Sequence, residues 1–133
     1  LELTNGQYTI TDDKHRVDID FIVDALDTTY WAKGRKREII EQSIRNSELL
    51  SVFNTGKQIG FARIVSDYAT FAWICDVYLV PDERGKGLGR WLMACIQEHP
   101  STQVGLQLLA TRDAHWLYEK FGFQRRECMY KRR

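Results

Sequence analysis

Val77-Tyr78-Leu79-Val80-Pro81-Asp82-Glu83-Arg84-Gly85-Lys86-Gly87-Leu88-Gly89-Arg90 is the stretch that decides the fold. An apolar segment beginning at Phe71 precedes it. Leu88, Trp91, Leu92, Cys95 and Ile96 follow at the spacing of a core-facing helix. The stretch therefore reads as strand, glycine loop, helix. Alternating glycines let successive backbone N–H groups point at one anion and leave no Cβ in its way. The helix that follows adds its own free N–H groups and the positive end of its dipole. Arg84, Lys86 and Arg90 add formal charge. This chemistry suits a phosphate or pyrophosphate at the end of a buried strand.

The glycine spacing narrows the choice. No Gly-Lys-Ser/Thr follows as a Walker loop requires. The order Gly-x-Gly-x-Gly is not the Gly-x-Gly-x-x-Gly of dinucleotide folds, and no acidic residue ends a second strand. Arg84, Gly87 and Gly89 after Leu79-Val80-Pro81 resemble the coenzyme A pyrophosphate loop of the GNAT superfamily of acetyl-CoA-dependent N-acetyltransferases. Ala114-His115-Trp116-Leu117-Tyr118-Glu119-Lys120-Phe121-Gly122-Phe123 resembles that family's Ala-x-x-Leu-Tyr-x-x-x-Gly-Phe segment. The two motifs stand in the right order and cover roughly the C-terminal half. The N-terminal half fits by its order of elements alone.

Composition sets the outer bounds. A chain of 133 residues, 44% hydrophobic and 28% charged, suits one globular domain spanning 1–133. Lys and Arg number 19 against 18 Asp and Glu, so bulk charge points to neither nucleic acid nor an anionic membrane. No apolar run is long enough to span a bilayer and no signal peptide is visible, so a cytoplasmic location is expected. The first residue is Leu1 rather than Met, which leaves room for missing residues before it. Cys75, Cys95 and Cys128 lie in apolar patterns and read as buried free thiols, with no metal site.

Taken in order, the pattern predicts a strand at Tyr8–Thr11 and a helix from Asp18 to about Asp27, capped by Asp18 or Asp20. A turn carrying Tyr30 and Trp31 follows. A second helix over Lys36–Asn46 turns Ile39, Ile40 and Ile44 inward. Strands at Leu49–Asn54 and Ile59–Val65 join at Thr55-Gly56. Phe71–Val80 reads as a central strand covered on both faces. The helix after the loop ends near His99-Pro100. A strand at Val104–Leu109, a helix at Asp113–Lys120 capped by Asp113, and a last strand at Gln124–Lys131 complete the chain. The order β, α, α, β, β, β, α, β, α, β is that of the resembled α/β fold, a mixed sheet with a splayed centre.

The resemblance implies acetyl transfer from acetyl-CoA to a primary amine by direct attack, with a small-molecule acceptor. Arg84, Gly85, Lys86, Gly87, Leu88, Gly89 and Arg90 would hold the coenzyme phosphates. Backbone groups of Val77, Tyr78 and Leu79 would pair with the pantetheine arm. Tyr118 would protonate the departing thiolate; by spacing alone it would pack with Ala114, Leu117 and Phe121. Asp76 is the only charge in its apolar strand. It is read either as an ammonium anchor or base, or as the structural partner of an arginine such as Arg63. Tyr30 and Trp31 are placed at the acceptor wall, with core packing as the alternative. Lys33, Arg35, Lys36 and Arg37 read as a solvated face, and Cys75 and His115 as non-catalytic. Where many relatives carry an Asn, this chain has Thr111-Arg112-Asp113, and no role is transferred there. A non-catalytic coenzyme A sensor or interaction module, or a generic phosphate binder, is the rival reading. A homodimer is left open.

Overall fold

The computed structural model describes residues 1–133. Ten main elements run in the order β1 (Glu2–Asn5), β2 (Tyr8–Thr11), α1 (Ile19–Asp27), α2 (Arg37–Arg45), β3 (Glu48–Asn54), β4 (Lys57–Ser66), β5 (Phe71–Leu79), α3 (Leu88–Glu98), β6 (Leu106–Leu109) and α4 (His115–Glu119). The strands form one six-stranded sheet in sequential order. Neighbours from β1 to β5 are antiparallel, and β5 pairs with β6 in parallel after the crossover through α3. This is the mixed α/β sheet that the motifs imply.

Helices cover both faces. Ile22, Ala25 and Leu26 of α1, with Ile40 and Ile44 of α2, pack on Leu49, Phe61 and Tyr78. On the other face Leu88, Leu92, Met93, Cys95 and Ile96 of α3 pack on Leu50, Val52, Ala62, Ile64, Ala72 and Ile74. Asp18 caps α1 by accepting from the Phe21 N–H at 3.1 Å.

Burial along β5 alternates with apparent regularity, yet the buried residues change sides. Ala72 and Ile74 face α3, whereas Asp76 and Tyr78 face α1 and α2; Val77 and Leu79 then pack on the α3 side. The cause is a bulge. Phe61 pairs with Tyr78 and Arg63 with Cys75, so β5 carries one residue more than β4 across this step. Asp76 sits there with φ of 50°, in the left-handed region.

Several expectations are corrected. A strand at Glu2–Asn5 precedes the expected first one. Its residues are all exposed, so no buried stripe announces it; the Asn5-Gly6 step, with φ of 62° at Gly6, was the available hairpin signal. Ile39 is exposed, while Ile40 and Ile44 are buried. The strand expected from Val104 is shorter, Leu106–Leu109. Ala114, not Asp113, is the cap residue of α4, and Thr111 Oγ1 accepts the Ala114 N–H at 3.0 Å. Gln124–Lys131 forms no strand. Cys128, Met129 and Tyr130 make a run of only three apolar residues between Arg125-Arg126-Glu127 and Lys131, too little to bury a strand, and Met129 and Tyr130 are exposed. Cys95 is buried as expected, but Cys75 is half-buried and Cys128 exposed.

Candidate active site

Two strands that part company create the site. β5 pairs with β6 only over Phe71–Ile74, because β6 ends at Leu109. From Cys75 to Leu79 that edge of β5 has no strand beside it, and its backbone groups, apart from the Leu79 carbonyl that Arg84 occupies, are open to an extended ligand. The opposite edge stays in the sheet through Gly60–Leu79 and Phe61–Tyr78 pairing.

At the end of this open edge lies the glycine loop. Pro81–Glu83 makes one 3-10 turn, and Gly87, with φ of 84°, caps α3. After the Arg84 N–H, which closes the turn on the Pro81 carbonyl at 3.2 Å, the next to bond within the chain is that of Trp91, to the Gly87 carbonyl at 3.1 Å. The N–H groups of Gly85, Lys86, Gly87, Leu88, Gly89 and Arg90 donate to nothing in the chain. Consecutive free donors at a helix N-terminus form an anion cradle. Leu88 is buried, so only its backbone can serve the cradle.

The loop is braced from below by a buried carboxylate. Glu83 Oε1 accepts from Lys86 Nζ at 2.8 Å and from Tyr8 Oη at 3.1 Å, while Oε2 accepts from Asn54 Nδ2 at 2.8 Å. The Lys86 ammonium, then the Asn54 amide, hold the Glu83 carboxyl below its ordinary range, and Glu83 in turn raises Lys86. Arg84 folds back instead of reaching into the loop. Its Nε donates to the Leu79 carbonyl at 2.8 Å and its guanidinium lies 5.5 Å from the Tyr78 ring centre.

Asp76 carries the densest polar contacts on the α1–α2 face. Its Oδ2 accepts from Arg63 Nε at 2.8 Å and Arg35 Nη1 at 2.9 Å, and its Oδ1 accepts from Trp31 Nε1 at 3.0 Å. The arginine pairing left open by the sequence is present, with a second arginine added. Arg35 is thus not part of a solvated face; it turns inward because a buried carboxylate needs compensation. Trp31 is tied to β5, and Tyr30 stands edge-on to it at 5.0 Å. Tyr30 also accepts the Arg112 N–H at 3.2 Å, and the Arg112 guanidinium lies 3.6 Å from the centre of its ring. Arg112 was assigned nothing by sequence; a stacking partner 82 residues away along the chain leaves no local signal.

Tyr118, on α4, packs partly against the α3-side core and meets Phe123 edge-on at 6.3 Å. Its hydroxyl has no hydrogen-bond partner in the chain. Burial, with Tyr30 and Asp113 nearby, pushes its phenol above the ordinary value, so it keeps its proton. Leu117 of the same helix reaches the space above Gly89. Contacts link Tyr30, Trp31 and Asp76 on the α1–α2 side of β5, and Tyr30 lies close enough to Tyr118 to act on its phenol. A cleft of about 950 Å³ runs along β6 and is bordered by Tyr118 and His115 together with the C-terminal tail. The free loop donors mark the anion site better than that cleft does. Burial raises the Cys75 thiol to about 11, which removes it as a nucleophile.

A parted parallel strand pair, with a run of free backbone donors where the strands diverge, is the architecture that the two sequence motifs imply. The sequence model of the acetyltransferase (GNAT) domain family matches residues 45–125, and the chain belongs to that family. A GNAT-family protein of Xanthomonas campestris pv. campestris has a solved structure 35% identical to this chain. It superposes with a TM-score of 0.90 over 94% of this chain and 92% of its own. A protein of Gibberella zeae named as an acetyltransferase is 27% identical over 115 residues, 71% of this chain and 65% of that one. An uncharacterised N-acetyltransferase of Pyropia yezoensis is 32% identical over 104 residues, 73% of this chain and 59% of that one. The chain thus spans about three-fifths of the length of these curated relatives. No helix is long and apolar enough to cross a membrane.

Proposed function

We propose that this protein transfers an acetyl group from acetyl-CoA to the primary amine of a small molecule. The observation that carries the reading is the run of free N–H groups from Gly85 to Arg90 at the end of the unpaired β5 edge. Acetyl-CoA, when bound, supplies the acetyl group as a thioester that a neutral amine attacks directly. The loop from Gly85 to Arg90 would hold its phosphates, with Lys86 released from Glu83 to share its charge. The backbone of Val77, Tyr78 and Leu79 would pair with the extended arm, and one of these N–H groups would face the reacting carbonyl oxygen. Tyr118, protonated and without a partner, would give its proton to the departing sulfur, and the proton lost by the attacking nitrogen would pass through water to restore the phenol. Asp76, with both oxygens engaged, would position Trp31 and Arg35 at the acceptor wall rather than take the amine's proton.

Thermal unfolding with acetyl-CoA, ATP or NAD tests the coenzyme assignment, because a ligand of the folded state raises Tm. Acetyl-CoA should raise it most, and thiol release in an amine panel should follow. Gly89→Ala sharpens the test. A Cβ there would meet Leu79 Cδ1 at 3.8 Å and Leu117 Cδ2 at 4.0 Å, ordinary contacts, and alanine favours a helix. The variant should be as stable as the parent yet bind coenzyme about ten-fold or more weakly, since the methyl group intrudes on the cradle. Unchanged affinity would dismiss the cradle.

A further inference from the structure

We infer that the acceptor amine also carries a carboxylate, which Arg35 and Arg112 receive; this rests on the acetyl-transfer reading above. Around the acceptor wall, guanidiniums outnumber the carboxylates available to them. Arg35 and Arg63 share Asp76. Arg63 is the more committed and the more buried, since its Nη1 donates to Ser47 Oγ at 3.0 Å while its Nε holds Asp76. Arg35 spends only Nη1 on Asp76, and its side chain remains 25% exposed. Its other N–H groups donate to nothing in the chain and form the planar fork that matches a carboxylate. Arg112 is held by Tyr30 with its guanidinium stacked on the ring, and it pairs with no acid. Of the other acids, Asp27 Oδ1 accepts the Gly34 N–H at 2.9 Å, and Asp113, next to Arg112 in the chain, is exposed and forms no ion pair with it.

This arrangement bears on the amine as well as on the anion. Both oxygens of Asp76 are already engaged, so the buried carboxylate of the wall is not free for an ammonium. A polyamine would meet an excess of like charge. An amine tethered to a carboxylate gains an anchor, and the nearby guanidiniums lower its ammonium pKa, which favours the neutral nucleophile. Positive charge at the wall thereby does part of the work of a general base.

The experiment uses the full chain with saturating acetyl-CoA and matched acceptors: glycine and glycinamide, leucine and leucinamide, 4-aminobutyrate and 1,4-diaminobutane. Thiol release should favour at least one carboxylate over its matched amide or diamine by about ten-fold or more in kcat/KM, the scale of a charge-assisted hydrogen bond. Arg35→Gln should erase that preference mainly through KM, and Arg35→Lys should restore part of it. The acetyl-CoA-induced shift in Tm should be unchanged in both. Arg112→Gln, at an exposed position, provides the same test should Arg35→Gln disturb the packing around Asp76. Equal rates within every pair, a preference for the diamine, or a carboxylate preference that survives both glutamine variants would overturn the inference. Absence of thiol release with every amine, while acetyl-CoA still raises Tm, would overturn the transfer reading and this inference with it. Release from the amides and diamine alone would leave acetyl transfer standing and remove only this inference.

Discussion

Asp76 and Tyr118 are each open to two readings from sequence, and the structure separates them by their partners. A lone charge in an apolar strand announces that something must pair with it. Which residue does so depends on the bulge that turns Cys75 and Asp76 to the same face, and no local pattern encodes that bulge. The result is a carboxylate fixed by two guanidiniums and an indole. Tyr118 is the opposite case: its ring packs, as the i, i+3, i+4, i+7 spacing indicates, while its hydroxyl is left without a partner. A phenol that only packed would be as well served by phenylalanine. Tyr118→Phe should therefore leave the melting temperature and coenzyme affinity nearly unchanged. It should lower kcat by about two to four orders of magnitude, the usual scale of positioned acid–base help. Steady-state rates at saturating acetyl-CoA, with coenzyme affinity measured separately, check this. An unchanged kcat would return Tyr118 to the core.

At the scale of elements, the strand–loop–helix of β5 and α3 was legible because glycine spacing and helical periodicity are local signals. The same holds for α1, α2 and the β3–β4 hairpin. What positions the end of β5 was not legible, because it lies across the sheet. Gly60 of β4 pairs with Leu79, and a Cβ built on Gly60 would lie 2.6 Å from the Tyr78 carbonyl oxygen and 2.6 Å from Leu79 Cδ2. The leucine can rotate, but the backbone carbonyl cannot leave without moving β5. Gly60→Ala should cost roughly 1–3 kcal/mol, the usual penalty of overpacking, read from the denaturation midpoint. It should also weaken coenzyme binding, since Tyr78 and Leu79 form the edge offered to the pantetheine arm. Gly89→Ala, which meets only ordinary contacts, should not lower stability. Equal stability losses in the two alanine variants would mean that close approach to β5 is not what requires Gly60.

Across the whole molecule, titratable groups in separate regions give stability a plateau with two limbs. On the acid side stand Asp67 and Glu83. Thr70 Oγ1 and the N–H groups of Ala69, Thr70 and Phe71 hold the Asp67 carboxyl well below its usual range, at the turn that leads into β5. Lys86 first, then Asn54, does the same for Glu83 beneath the loop. A carboxyl with a lower pKa in the folded state adds stability above its unfolded value, and that stability is lost as pH falls through the folded value. The melting temperature should therefore begin to drop as pH falls below about 4–5, where unfolded carboxyls take up protons. On the alkaline side burial raises the Cys75 thiol to about 11, and burial followed by Glu48 raises the Tyr68 phenol to about 12. Here the sign reverses. The folded state favours the neutral form, so this stability is complete below the unfolded values and declines as pH rises from about 8.5 for the thiol and about 10 for the phenol. Melting curves from acid to alkali, on the parent and on Glu83→Gln and Cys75→Ala, separate the limbs. Glu83→Gln should flatten the acid limb alone, since the amide has no proton to take up. Cys75→Ala should flatten the early part of the alkaline limb and leave the acid limb as it was. Limbs of parental steepness in both variants would assign the pH dependence to other groups.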